Sequence, residues 1–410
     1  MLVHAATDND IFPPRFGATQ RTFGLMRGLA RRHAVRVLCV VPNRSRGARE
    51  ERAAGVTLAR RRAWYTGLAW RLERARLAPL FTAAYAHAAR ARRLLAALPG
   101  RPDVLAADLN LAALLDAGAA SLRVYTAHNV EADHFRMVKA RVAAAGFWAA
   151  RIRALEARAV ARADLTVACT VEDAARLAEL YGATPARLHV VPNGFDETRI
   201  SAPDEESRTR ARAALGIAGR DYATLFLGSD TPFNRAALDH LVTRVLPPLA
   251  ADGFRLIVAG SVVAAMPRRE PWLIARPETD DLAPLLHAAD AGLNPVTTGG
   301  GSNVKVPTYL GAGLAVVTSA FGLRGYDALR PWVTVAEPAA MTAALAERPA
   351  GWRARGLARP EAVEAHAWGR LGERLGERLE AMLAARAPAP EAARAEPAPA
   401  PAVRAAGRGA

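Results

Sequence analysis

The chain predicts an α/β protein made of two similar halves, each a doubly wound parallel sheet, with a cleft between them. Three observations carry this. Short apolar runs alternate with helix-like stretches from Leu2 to beyond Thr318. Glycine-bearing loops follow several of those runs and open helices, at Gly17, Gly228 and Gly299–Gly301. The alternation begins again after the turn Pro192-Asn193-Gly194. In sheets of this kind ligands bind outside the carboxyl ends of the strands.

The 410 residues allow two or three domains of ordinary size, and half of them are apolar. No run of 18 uncharged apolar residues appears, so no membrane-spanning helix is expected. No basic segment followed by a hydrophobic stretch opens the chain, which argues against a signal peptide. Cys39 and Cys169 lie in apolar, strand-like segments without a motif, as in a reducing cytoplasm. The net charge of +16 suits an anionic surface, but no zinc spacing or RNA-binding signature accompanies it. Arg and Ala are high throughout, so compositional bias and attraction to a membrane surface are favoured over nucleic acid.

In chain order, Leu2–Ala6 reads as a strand, 7–17 as a loop, Thr19–Arg32 as an amphipathic helix and Val35–Val41 as a strand. This is a βαβ unit whose loop, Phe16-Gly17-Ala18-Thr19, is either a ligand loop or a plain turn; it lacks the G-x-G-x-x-G dinucleotide pattern. Residues 44–100 are Arg-rich, with a short strand at Gly55–Leu58. The run Arg60–Arg71 mixes guanidiniums with Trp64, Tyr65 and Trp70, a composition that suits acidic headgroups or a lipid-linked acceptor as well as an ordinary solvated face. Strands follow at Pro102–Ala107 and Leu122–Ala127. The second runs into His128-Asn129-Val130-Glu131, where His128 is a substrate-facing donor or proton carrier, or a satisfied strand-end histidine. Glu131 either orients His128 or caps the next helix. One long helix is expected over 137–163, then a strand at 164–169, a capped helix from Thr170 and a last strand at 189–194.

The second half opens with the strand Tyr222–Leu227, the loop 228–234 and a helix from Arg235. Ser229 and Asn234 offer neutral donors there. Strands at 254–260 and 291–294 flank a helix over 280–289. The most informative stretch is Asn294–Arg324: a Gly run, then Ser302-Asn303, a short helix holding Lys305, Tyr309 and Leu310, and the strand Ala315–Thr318. A Gly-rich loop opening a helix either presents N–H groups to a phosphate or is a flexible connection between two elements of the sheet. Lys305 sharpens this, because Lys occurs only at 139 and 305 in a chain full of Arg, and a compact ammonium is a point-charge phosphate donor.

Taken together, PPRFGATQRTFGLMRGLA, YTAHNVEADHF, ADLTVACTVEDAARLAELYG, HVVPNGFD, TLFLGSDTPFNRAALDHLVTRVLPPL and the 294–324 stretch resemble glycosyltransferase family 4. The resemblance implies two Rossmann-like domains facing across a cleft (GT-B). Expected bounds are 1–195 for an acceptor-side domain and 196–365 for a nucleotide-sugar domain. Residues 366–386 form a helix packing back on the first domain, and 387–410 a disordered Ala/Pro/Arg tail. The implied activity is transfer of a hexosyl or related group from a nucleotide sugar to a glycan or lipid-linked acceptor, with retention, in cell-surface polysaccharide or glycoconjugate synthesis. No metal or other cofactor is expected. The expected location is the cytoplasm, with peripheral contact to the inner face of the membrane through 60–71.

By the same resemblance, His128 and Lys305 are catalytic, and Gly17, Ser229, Asn234, Gly300, Gly301, Ser302, Asn303 and Thr308 bind the donor. Arg276–Leu282 contacts the base. The sequence departs from the pattern where many members carry two Glu, here Gly300 and Thr308, and the usual phosphate-binding Arg does not follow Gly228. A degenerate protein that binds a nucleotide sugar or a partner without turnover is therefore the alternative.

Overall fold

The structure is a computed structural model that describes residues 1–45, 47–118, 120–138, 142–266, 270–277 and 279–386. The tail expectation, and Lys139, fall outside the described residues. The first sheet holds β1 (Leu2–Thr7), β2 (Ala34–Val41), β3 (Glu50–Ala53), β4 (Val56–Arg62), β5 (Val104–Ala107), β6 (Leu122–Thr126), β7 (Leu165–Ala168) and β8 (Leu188–Val190). Its spatial order is β3-β4-β2-β1-β5-β6-β7-β8, parallel except for the β3/β4 hairpin. The second sheet holds β9 (Tyr222–Leu227), β10 (Phe254–Ala259), β11 (Leu273–Arg276), β12 (Ala291–Asn294), β13 (Ala315–Thr318) and β14 (Thr334–Val335). Its order is β11-β10-β9-β12-β13-β14, all parallel.

The central strands are buried on both faces, as parallel strands covered by helices must be. Two apolar clusters flank each sheet. The order reverses between β1 and β5 in one sheet and between β9 and β12 in the other, and such reversals open a crevice at the carboxyl edge. The loop after β9 and the loop after β12 therefore border one crevice.

Two crossings join the lobes. Phe195 pairs with Ala367 as an isolated parallel bridge, with Phe195 N donating to His366 O at 3.1 Å and Trp368 N to Phe195 O at 3.0 Å. The helix Trp368–Ala384 then lies along the helix Gly17–Ala30 and adds Trp368, Leu371, Leu375 and Leu379 to the first sheet's core. The two helices nearly touch through glycine: a Cβ on Gly28 would stand 2.7 Å from Gly372 Cα, and one on Gly24 would enter the Trp368 ring.

Some elements differ from expectation. The long helix over 137–163 is two, Glu131–Val138 and Ala145–Arg162, because Ala144 takes a left-handed φ of 53° that no continuous helix admits. β4 runs on through Arg60–Arg62 instead of stopping at Leu58. The helix after β9 begins at Pro232, where Thr231 Oγ1 accepts from Asn234 N at 3.4 Å, rather than at Arg235. The helix over 280–289 is confined to Ala283–Ala288.

Candidate functional site

The loop after β12 leads into the helix Lys305–Gly311. With seven residues this helix offers little macrodipole, so the charge at the site comes from Lys305. Lys305 Nζ donates to Asn234 Oδ1 at 2.7 Å and sits 4.8 Å from the centre of the Phe226 ring. Asn234 Nδ2 in turn donates to Ser229 O at 2.9 Å and Ser229 Oγ at 3.4 Å. The two loops at the sheet reversal are thus joined through Lys305, Asn234 and Ser229. Among the described residues no carboxylate pairs with Lys305. Burial without a counter-charge pulls its ammonium down to about 7. Arg235, on the helix that starts at Pro232, is taken up by Asp230 in the loop before it.

The Gly loop takes its shape from two residues in the left-handed region, Gly299 at φ 144° and Gly301 at φ 63°. It is pressed against the first lobe. A Cβ on Gly300 would lie 2.9 Å from Asn129 Oδ1, and one on Gly301 2.8 Å from the His128 carbonyl. Val304 Cγ2 stands 3.7 Å from where a Cβ on Gly17 would be. Asn193 N donates to Ser302 Oγ at 3.0 Å, and Asn193 Nδ2 to Ser302 O at 2.8 Å. Three segments from the carboxyl edge of the first sheet therefore close on this loop. Asn303 is half-buried at the helix start, its carbonyl accepting from Val306 N at 3.2 Å, and Thr308 is buried one turn into the helix.

His128 has both ring nitrogens buried with no hydrogen-bond partner among the described residues. Burial, with Arg21 nearby, drives its pKa down to about 4, so the ring is neutral near pH 7. Glu131 does not orient it: Glu131 Oε1 accepts from Asn129 Nδ2 at 3.2 Å, and the helix start is held by Glu156, which accepts from Glu131 N at 2.7 Å and Ala132 N at 3.1 Å.

Sequence reasoning missed Asn129, Asn193, Arg21 and Arg324. Arg324 reaches across to Asp173, with Glu172 at 3.7 Å. Arg15 bridges to Asp280 at 3.2 Å, between the first loop and the 276–282 segment.

The first lobe's matched region covers the Gly17 loop, His128 and the crossing at Asn193. Residues 17–199 match Glycosyltransferase Family 4. The fold is GT-B. The chain superposes on sucrose-phosphate synthase from Thermosynechococcus elongatus with a TM-score of 0.62 at 14% identity, covering 93% of this chain and 95% of that one. For Anabaena Alr3699/HepE in complex with UDP and glucose the values are 0.59, 15%, 92% and 99%. A D-inositol 3-phosphate glycosyltransferase from Acidothermus cellulolyticus is 40% identical over 111 residues, 26% of this chain and 23% of that protein. One from Salinispora arenicola is 31% identical over 191 residues, 41% of each chain. These alignments span less than half the length of the relatives.

Proposed function

We propose that this protein is a glycosyltransferase that moves a sugar from a nucleotide sugar to a glycan or lipid-linked acceptor. The observation that carries this is Lys305, at the carboxyl-edge reversal of the second sheet, whose hydrogen-bond partner is a neutral amide. As the bond from the sugar's anomeric carbon to the diphosphate breaks, its electron pair passes to the diphosphate oxygen. Lys305 and the Gly300–Asn303 loop meet that growing charge, and preorganised electrostatics of this kind supplies much of the rate acceleration in many enzymes. The acceptor oxygen bonds to the anomeric carbon and passes its proton to the departing diphosphate oxygen. The neutral His128 ring hydrogen-bonds the sugar or orients the acceptor. In this reading the transfer proceeds with retention and without a metal, in cell-surface polysaccharide or glycoconjugate synthesis.

A peripheral membrane contact fits the helix Trp64–Arg74. Trp64, Leu68 and Trp70 are 63%, 44% and 46% exposed. They line a groove of about 560 Å³ with Pro42, Arg44 and Arg71. Arg60 is not part of that surface: it is buried against Asp10 and Glu51 at 2.8 and 2.7 Å. Among the described residues no helix is long and apolar enough to cross a membrane.

A second reading, binding without turnover, draws on Gly300 and Thr308 in place of carboxylates. The deciding experiment screens nucleotide sugars for thermal stabilisation, without metal and with Mg²⁺, then assays transfer to acceptors with the donor that binds. A shift lost in Lys305→Ala, together with product, supports the transferase; a shift without product supports the binder. No shift from any donor in folded protein refutes donor binding and leaves the degenerate reading in which the protein holds a partner without turnover.

A further inference from the structure

The Gly299–Asn303 loop is tied to the first lobe by buried residues that the transfer chemistry does not itself use. Arg21, on the helix Gly17–Ala30, is 2% exposed, and among the described residues it has no carboxylate partner. Its guanidinium is held by oxygens alone: Nη1 donates to Val191 O at 2.7 Å and Asn193 Oδ1 at 3.2 Å, and Nη2 to Ala168 O at 3.5 Å. Asn193 passes this anchoring on. Its amide oxygen accepts from Arg21 while its amide nitrogen donates to the Ser302 carbonyl at 2.8 Å, and its main-chain N–H donates to Ser302 Oγ at 3.0 Å. Asn193 is 7% exposed and Ser302 6%.

One side chain must here accept on one side and donate on the other. An amide does both; a carboxylate only accepts, and Ala does neither. A buried cation with only neutral partners is costly to hold, and removing a partner exposes that cost. The arrangement joins the helix Gly17–Ala30, the interlobe crossing at Asn193, and the loop that leads into Lys305.

We propose that Asn193 is a positioning residue: by bridging Arg21 to Ser302 it holds the Gly299–Asn303 loop in the conformation that receives a diphosphate. The part concerning the diphosphate rests on the donor reading above; the bridge itself does not. The discriminating variant is Asn193→Asp. It keeps the acceptor for Arg21 and adds an opposite charge there, but sets an acceptor oxygen against the Ser302 carbonyl. Ser302→Ala is the second variant, removing the acceptor for Asn193 N–H.

Amide hydrogen exchange of ligand-free full-length protein gives a readout independent of any ligand. Exchange over 299–304 is expected to rise at least tenfold in both variants, with the first sheet's strands and the melting temperature of Asn193→Asp unchanged. The affinity of UDP, ADP or GDP, whichever the wild type binds, is expected to fall at least tenfold in Asn193→Asp, with the donor KM rising and the acceptor KM constant. Loop exchange within threefold of wild type in both variants overturns the bridge. Faster loop exchange with unchanged diphosphate affinity overturns its role in donor binding. Wild-type protein that binds none of the three nucleotides refutes the donor reading, and the exchange result then decides the bridge alone.

Discussion

Replacing Lys305 has consequences that can be worked through. In the free protein the ammonium is held down to about 7 by burial, against an ordinary 10.5. A diphosphate arriving beside Nζ restores the charged form. At pH 8 a group titrating near 7 holds roughly 0.1 proton, and one restored above 10 holds about 1, so binding takes up roughly 0.9 proton. Affinity therefore falls close to tenfold per pH unit from about 7 towards 10. Two unit charges about 4 Å apart at an effective dielectric near 20 attract by about 4 kcal/mol. Losing most of that in the transition state lowers kcat/KM on the order of 10²–10³-fold in Lys305→Met. The unliganded variant should be no less stable than wild type. In wild type the folded state holds fewer protons than the unfolded state between pH 7 and 10.5, so stability rises with pH across that window, and Lys305→Met removes the rise. The assay is titration calorimetry of the diphosphate at pH 8 in two buffers of different ionisation enthalpy, with kinetics alongside. Wild-type binding without proton uptake, or a variant within threefold of wild-type kcat/KM, refutes the diphosphate role of Lys305.

Gly300→Ala places a methyl 2.9 Å from Asn129 Oδ1 and should lower turnover about tenfold through a displaced loop, with partial recovery in the double variant Gly300→Ala/Asn129→Gly; kinetics of the three proteins checks it. Glu156 is buried and pushed up to about 7, chiefly by desolvation and then by Glu131. Its folded pKa exceeds its unfolded value, so the stability it lends is full below about pH 4.5 and lost as pH rises through 7. Wild-type melting temperature should fall across that window relative to Glu156→Gln, in thermal melts from about pH 4.5 to 7.5. Trp64→Ala/Trp70→Ala should lower co-sedimentation with vesicles containing anionic lipid several-fold while leaving diphosphate affinity intact, and equal sedimentation of both proteins would count against the membrane contact.

The alternation of apolar runs and glycine loops made the two-sheet architecture readable, because parallel strands buried on both faces need unbroken apolar segments. Lys305 stood out because Lys is scarce here, and the structure sets it against Asn234 and Ser229, as loops bordering one sheet reversal should be. Arg21 gave no comparable signal. In a chain this rich in Arg, a buried guanidinium fixed by carbonyls looks in sequence like any solvated one. Arg60 misled for the same reason, since its partners, Glu51 on the paired strand β3 and Asp10 in the loop after β1, are set by tertiary packing and not by local spacing. Asn129 and Asn193 matter through the opposite lobe, and no periodicity within one segment encodes a contact made 109 residues away.

The helix Trp368–Ala384 has a consequence for the order in which the protein is built. It completes the core of the first sheet, yet it is encoded after the whole second lobe. During synthesis the second lobe can close once Val363 and Ala367, the last residues of its core, have emerged. The first lobe, though translated earlier, keeps the apolar side of Gly17–Ala30 uncovered until Trp368, Leu371, Leu375 and Leu379 arrive. The half made first is thus finished last, and a chain released before residue 384 carries an open glycine-lined groove where a partner helix belongs.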